Sequence, residues 1–240
     1  MSLLFRRREI WLPTWFGGLL MLSVAALLLG LVWVRLADFL TVREPAHGRD
    51  GRGARTLIIE GWLEAKDLDQ AVAAYRAGRY ERVLTTGGPI ESWTDARLWG
   101  SYAERAAAYL QEKGLGPATP VIALPAPATR RDRTYLSALV VRDWAHRSGL
   151  TLDAVDLYSA GVHSRRSRMI YRLAFGDEVE VGVLASSPVG YSTEHWWDSS
   201  LGARAVMSEA LAYVWVKCCF WPGAPPTLQP LASASPARVR

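Results

Sequence analysis

The sequence predicts an α/β domain of the three-layer, doubly wound, Rossmann-like kind, with a mostly parallel sheet of about five strands, preceded by one N-terminal transmembrane helix. Three observations support this class. Five short apolar runs alternate with helical stretches of about 10 to 18 residues, which is the pattern of βαβ units. The runs are apolar on both faces, as in a sheet covered by helices on both sides. One long uncharged segment comes before all of them.

That uncharged segment runs from Thr14 to Val34. As a helix rising about 1.5 Å per residue it is about 31 Å long, close to the ~30 Å hydrocarbon core of a bilayer. Arg6, Arg7 and Arg8 precede it, whereas the charges that follow are nearly balanced. The positive-inside rule then predicts a signal anchor over 14–36 in a bacterial inner membrane, with 1–13 cytoplasmic and the rest extracytoplasmic.

A cleavable signal peptide is the alternative to an anchor. Its apolar region is usually shorter, and it ends in a small-x-small cleavage site. No such site follows Val34, so the anchor is favoured. Residues 37–55 are predicted to be a tether, because 43–55 is rich in glycine and charge. The tail over 222–240 is rich in Pro, Ala and Ser and is predicted to be disordered, which leaves 56–221 as the folded domain.

Within the domain, apolar runs and helical periodicity define the elements in order. Asp67 is placed to cap the first helix. The last helical stretch is interrupted by Arg204, Glu209 and Lys217, so it is predicted to pack on the domain, with its aromatic end near the bilayer, and not to span. Strands are expected over 56–62, 82–88, 120–127, 154–161 and 179–188, and helices over 67–77, about 95–113, 132–147, 163–175 and 201–220.

Composition excludes several function classes. The net charge of +5 is concentrated at the two ends, whereas a nucleic-acid binder would carry Lys and Arg packed on one face. Cys218 and Cys219 are adjacent and are expected to be buried thiols, and no Cys/His spacing fits a metal site. GxGxxG and Walker A motifs are absent, so no nucleotide cofactor is supported, and the GxSxG hydrolase motif is absent as well.

Polar, glycine and basic residues follow the predicted strands at one edge of the sheet, where α/β domains bind ligands. Taken singly, such glycines are usually turn residues and such arginines are usually solvated, but their convergence favours a site. The candidate ligand-binding residues are Glu60, Gly61, Thr86, Gly87, Gly88, Glu91, Arg130, Arg133, Thr134 and Arg166, with His163 as the candidate catalytic residue.

His163 and Arg166 are three positions apart at the start of a helix, so they share one face of it. The positive end of the helix dipole favours an anion, arginine binds phosphate or carboxylate, and histidine transfers protons near neutral pH. We expect these two residues to meet Gly87 and Gly88 in one anion pocket. Asp132 is expected to cap the helix that follows it. Of Trp196 and Trp197, in the loop that also holds His195, one is expected to pack, and the sequence leaves open whether the other forms a lid.

In these motifs the chain resembles the ElyC/SanA/YdcF family of bacterial envelope-associated domains over about 55–220. The resemblance lies in TLIIEG, AAYRAGRYERVLTTGG, Glu91, the stretch 129–135 and the His163-Ser-Arg-Arg166 motif. It departs from the family where Glu60-Gly61-Trp62 replaces a glycine cluster, and where 129–134 lacks the family's asparagines. The resemblance implies a Rossmann-like, often membrane-anchored domain that acts in envelope biogenesis and barrier function. S-adenosylmethionine, associated with a soluble member, is not expected to reach an extracytoplasmic domain.

Two functions follow from these observations. The first is binding of an anionic, phosphate-bearing ligand, such as a lipid-linked sugar phosphate, beside the bilayer, with no reaction assigned. The alternative is a non-catalytic envelope factor that binds a partner protein or a polysaccharide. No cofactor, metal or oligomeric state is assigned.

Overall fold

A computed structural model describes residues 13–48, 51–90, 98–116 and 118–222. The chain divides into two compact units, one up to Leu36 and one from Ala37 onward. The second unit contains a five-stranded sheet and confirms the predicted α/β class. Its elements follow helix α1 (Trp15–Leu40): β1 (Thr56–Glu60), α2 (Ala65–Ala77), β2 (Arg82–Gly87), α3 (Tyr102–Glu112), β3 (Val121–Pro125), α4 (Arg133–Arg147), β4 (Ala154–Ser159), α5 (Ser164–Phe175), β5 (Glu180–Ala185) and α6 (Ser200–Cys219).

The sheet has the strand order β3-β2-β1-β4-β5, and all of its pairings are parallel. Strands β2 and β3 are added in sequence on one side of β1, and strands β4 and β5 are added in sequence on its other side. The crevice between β1 and β4 is therefore the topological switch point, where the loops leave the sheet in opposite directions. Central strand β1 is buried along its whole length.

Helices cover both faces of the sheet. Alternate residues of each strand point to opposite faces, so Leu57 and Ile59 pack with α2 and α3 while Ile58 packs with α4 and α5. Each face therefore has its own apolar core, as expected for strands that read as continuous apolar runs. This arrangement confirms three layers and fixes all five strand ends at one edge.

Two helix starts differ from the expectation. Helix α2 begins at Ala65 with Glu64 as its N-cap, so Asp67 lies in the first turn and does not cap it. Helix α3 begins at Tyr102, because Ser101 caps it: the Ser101 hydroxyl accepts from the Glu104 amide at 3.1 Å and donates to the Glu104 carboxylate at 3.0 Å. The hydroxyl thus satisfies one free amide of the first turn and stabilises the start of the helix.

The segment over 42–48 packs on the sheet, so it is not the flexible tether expected from its composition. Glu44 and Val183 exchange two backbone hydrogen bonds of 2.9 and 2.8 Å, which covers part of the edge of β5. The Ala46 amide donates to the Asp156 carboxylate at 2.7 Å. The physical reason is that an edge strand and a buried carboxylate both need hydrogen-bond partners, and this segment supplies them.

Asp156 lies in the middle of β4 and is almost fully buried. Burial raises the pKa of its carboxyl, and the hydrogen bonds from the Ala46 amide and the Tyr80 hydroxyl partly oppose that rise. The chain segment and the buried acid therefore stabilise each other.

Among the described residues, one helix is long and apolar enough to cross a membrane, namely Trp15–Leu40 near the N-terminus. The predicted cytoplasmic N-terminus over 1–13 and the predicted tail over 222–240 lie outside the described residues, apart from Pro13 and Pro222.

The close approach of the 42–48 segment to β5 depends on Gly182. A Cβ atom there would lie 2.1 Å from the Ala46 nitrogen and 2.2 Å from Asp156 Oδ1. We expect Gly182→Ala to lower the free energy of unfolding by about 1–3 kcal/mol, the usual cost of overpacking, and to increase tryptic cleavage after Arg43. Gly161→Ala is the matched control, because its nearest neighbour would lie at an ordinary 3.5 Å. Equal effects of the two substitutions on stability and cleavage would contradict the packing described here.

Candidate functional site

A cavity of about 570 Å³ opens at the carboxyl edge of the sheet. Strands β1 and β2 form its floor, and helices α4, α5 and α6 form its walls. Eight of the residues singled out in the sequence line it: Glu60, Thr86, Gly87, Gly88, Arg133, Thr134, His163 and Arg166. The structure therefore brings Gly87, Gly88, His163 and Arg166 around one space, although about 75 positions separate the two pairs in sequence.

Glu60 ends β1 at the bottom of this cavity and is only 3% exposed. Its carboxylate accepts hydrogen bonds from the Ser159 hydroxyl at 2.5 Å and from the Ser167 hydroxyl at 2.9 Å. Ser159 ends the neighbouring strand β4, and Ser167 lies in α5. These two bonds offset the cost of burying a carboxylate and tie the two central strands to α5.

His163 immediately precedes α5 and contacts two carboxylates. Its Nδ1 lies 2.8 Å from Glu209 Oε1, and its Nε2 lies 4.0 Å from Glu60 Oε1. Arg166 Nη2 also lies 2.8 Å from Nδ1. A guanidinium can only donate, so Arg166 and Glu209 make opposite demands on Nδ1. We assign the Nδ1 proton to the hydrogen bond with Glu209, and Arg166 Nη2 then donates to Glu209 Oε1 at 3.1 Å and not to the ring. Nε2 is then the nitrogen that can exchange a proton.

Arg166 and Glu209 form a two-pronged ion pair. Arg166 Nε lies 2.8 Å from Glu209 Oε2, and Nη2 lies 3.1 Å from Oε1. Both side chains are 17% exposed. Burial raises the pKa of Glu209, but the hydrogen bonds from His163 and Arg166 and their positive charges outweigh it and lower that pKa to about 2. Glu209 is therefore an anion at neutral pH.

This pairing corrects one expectation about Arg166. The sequence predicted an arginine that is available to an anion in the pocket. The structure shows that Glu209 already neutralises it. Arg166 instead fixes the position of Glu209, which in turn orients the His163 ring.

The first turn of α4 forms another part of the wall, with Asp132, Arg133 and Thr134. Asp132 precedes the helix in the left-handed region, with φ 56° and ψ 34°, and its side chain makes no capping hydrogen bond. The expected side-chain cap is therefore wrong, and the first-turn amides receive no partner from it. A non-glycine residue in this conformation costs on the order of 1 kcal/mol. Arg130 is exposed and lies outside the cavity lining.

The glycines at this edge have different roles. Gly61 does not line the cavity: a Cβ atom there would lie 2.4 Å from the Tyr102 carbonyl oxygen and 2.6 Å from that of Thr86, so it allows close packing with α3. Gly87 has φ 152°, and a Cβ atom would lie 2.7 Å from the Tyr102 Cβ. At Gly88 a Cβ atom would meet its nearest neighbours at 3.7 Å, so this residue has room around it at the cavity edge.

Aromatic side chains form the outer part of the cavity. The ring of Trp62 meets the edge of the His163 ring at a centroid distance of 5.0 Å. The Phe220 ring lies 5.5 Å from both Tyr135 of α4 and Trp215 of α6. Trp62 and Trp215 are 41% and 49% exposed, whereas Glu60 is 3% exposed, so these rings lie at the mouth of the cavity and Glu60 lies at its base.

Several other expectations have a plain outcome. Glu91 lies outside the described residues. Trp196 is fully buried, as expected for one of the two tryptophans, and neither it nor Trp197 lines the cavity. Cys218 and Cys219 are exposed, which corrects the expected burial, because this part of α6 faces away from the core. Within the described ranges, no group of three or more His, Cys, Asp or Glu residues could hold a metal ion.

Sequence reasoning missed Glu209, although the sequence contained a clue. It is the sole acidic residue of α6, which is otherwise largely apolar. A carboxylate in such a helix needs a partner when it is buried, and His163 and Arg166 were already candidates. The serines that bind Glu60 gave no comparable clue, because serines are common in both positions.

We expect Arg166→Ala to lower the free energy of unfolding at pH 7 by about 1–3 kcal/mol, because it leaves Glu209 without its ion pair. Arg172→Ala is the control, since Arg172 is exposed on the same helix. Equal stability of both variants in denaturant titrations would contradict the pairing.

Glu209 makes the stability of the fold depend on pH. Its folded-state pKa of about 2 lies below the ordinary value of 4.5, so its contribution to stability is present above pH 4.5 and is lost as the pH falls towards 2. We expect Glu209→Gln to remove this part of the acid destabilisation, measured as the free energy of unfolding at pH 6 and at pH 3. An unchanged difference between the two pH values in the variant would contradict this assignment.

Comparison of the chain with protein-family models, with curated proteins and with solved structures gave no match. The fold and the geometry of the cavity are therefore the basis for the functional argument.

Proposed function

We propose that this chain is a membrane-anchored envelope-biogenesis protein of the ElyC/SanA/YdcF kind, which binds a phosphate-bearing, lipid-linked ligand in the cavity at the carboxyl edge of its sheet. The observation that carries the proposal is that charged and aromatic groups line different parts of that cavity. Charged groups lie at its base and on the α4 wall, and aromatic rings lie at its mouth. A ligand with a polar head and an apolar remainder matches this division.

The anionic group of the ligand is assigned to the α4 wall. Arg133 lines the cavity there, and the first-turn amides of α4 have no side-chain cap. Amides at a helix N-terminus and an arginine are both suited to phosphate oxygens. Arg166 is a weaker candidate for this role, because the Glu209 carboxylate already neutralises it.

His163 supplies a group for proton transfer. Glu209 holds its Nδ1, and its Nε2 stands 4.0 Å from the Glu60 carboxylate. A histidine oriented by a carboxylate on one nitrogen can take up or release a proton at the other. We propose that His163 acts in this way on the bound ligand, with Glu209 as the positioning residue.

The alternative function is a non-catalytic envelope factor that binds a protein or a polysaccharide. An apolar surface far from the cavity would support it. The exposed apolar residues of α6 adjoin the cavity through Trp215, so they support ligand binding at the membrane instead.

The first test is binding of a chemically defined pair of probes, farnesyl phosphate and farnesol, to the full chain in detergent. We expect Arg133→Ala to weaken farnesyl phosphate binding about 10- to 150-fold, the equivalent of about 1.5–3 kcal/mol for a lost charged hydrogen bond. Binding of farnesol should not change.

Arg130→Ala is the matched control, because Arg130 is an exposed arginine three residues earlier and outside the cavity lining. Equal effects of the two substitutions would contradict the assignment of Arg133. Binding of farnesol as tight as that of farnesyl phosphate would contradict recognition of the anionic group.

The second test concerns topology. A reporter fused to the C-terminus should be active only outside the cytoplasm, because Arg6, Arg7 and Arg8 hold the N-terminus inside. Replacing all three by neutral residues should weaken that orientation. A reporter active in the cytoplasm of the unmodified protein would exclude an extracytoplasmic ligand.

A further inference from the structure

The outward side of α6 is apolar along most of its length. Met207, Leu211, Val214 and Trp215 are spaced along one helical face and are 39%, 70%, 57% and 49% exposed, respectively. We call these four residues the α6 stripe. Trp221, just beyond the helix, is 85% exposed. Single exposed apolar residues are ordinary on a soluble surface, but a continuous stripe of large side chains indicates a contact surface.

The exposed charged residues of α6 have one sign. Arg204 is exposed near its start, and Lys217 is exposed near its end. Glu209, the sole acidic residue of the helix, points to the opposite side and pairs with Arg166. An apolar face flanked by basic and aromatic residues is the composition of a helix that lies in the headgroup layer of a bilayer.

The chain itself holds α6 near the end of the apolar segment. The Phe39 ring packs edge-on against the Tyr213 ring of α6, with centroids 5.4 Å apart, and the Arg165 guanidinium covers the same Phe39 ring at 4.1 Å. Phe39 is three residues beyond Leu36, where the first unit ends. Three residues span at most about 11 Å, so only a short stretch of chain separates the apolar segment from the residue that packs on Tyr213.

We propose that the α6 stripe docks on the surface of the bilayer that the N-terminal helix crosses, with its apolar side chains among the headgroups and Arg204 and Lys217 on anionic lipid. The occupant is lipid and not a second copy of the chain, because covalent attachment to the apolar segment keeps a bilayer within reach, whereas a second copy must be recruited. Docking goes beyond the proposed function, since three of the four stripe residues lie outside the cavity lining.

Docking also has a consequence for that function, and this step rests on the ligand being lipid-linked. Trp215 belongs to the stripe and also lines the cavity. A docked stripe therefore brings the aromatic mouth of the cavity to the headgroup layer. A lipid-linked ligand can then place its head in the cavity while its chains stay in the bilayer.

The test uses the full chain with Cys218→Ser and Cys219→Ser, reconstituted in vesicles of phosphatidylethanolamine and phosphatidylglycerol. A spin label is attached at Leu211→Cys, and in a matched protein at Glu112→Cys, an exposed position at the end of α3. Collision rates are measured with oxygen, which concentrates in lipid, and with a water-soluble nickel chelate present on both sides of the membrane.

In vesicles, we expect the label at 211 to collide much less often with the chelate, and more often with oxygen, than the label at 112. Transfer from vesicles to a chelate-permeable detergent micelle should reduce this difference. Equal chelate collisions at the two positions in vesicles would overturn the proposal. Dipolar broadening at 211 in both vesicles and detergent would also overturn it, because it would show a second copy on the stripe. Neither readout depends on ligand binding, so failure here is distinct from failure of the Arg133 test.

Discussion

The buried carboxylate of Glu60 is the constraint on which the site depends. A carboxylate at the end of the central strand must have hydrogen bonds, and Ser159 and Ser167 provide them from β4 and α5. The bond to Ser167 fixes how far α5 lies along the sheet. Ser167 follows His163 by one helical turn, so the same bond sets His163 above Glu60. The place of the histidine is thus decided by the sheet and not by its own loop.

The charges around His163 balance one another. Glu209 reaches from α6 to both His163 and Arg166, and its anion offsets the arginine. The base of the cavity is therefore not simply basic, although its sequence motif suggested so. The proposed function therefore assigns the anionic group to the α4 wall, where Arg133 lies and where the Asp132 side chain does not cap the helix.

How much the sequence could predict depends on the range of the interaction. Strand and helix positions follow from local periodicity, so the layers, the parallel sheet and the edge that carries the site were predictable. The pairing of Arg166 with Glu209 joins residues 43 positions apart, and no local pattern encodes it. The bridge between Glu44 and Val183 consists of one residue on each side, too short for a strand pattern. Composition made that segment look like a linker because several of its hydrogen bonds are formed by backbone groups, which composition does not reveal.

Helix α6 connects the site with the protein surface, because one of its sides contacts the site and the other is exposed. Its inner side contributes Glu209 to the ion pair and Val216 to the buried interior. Its outer side carries large apolar residues that no described part of the domain covers. An ordinary surface helix would gain solubility from polar residues there, at little cost to packing. Trp215 stands at the boundary between the two sides, where one ring closes the cavity and also faces outward. A change that alters the contacts of the outer side therefore acts on the mouth of the cavity through that ring.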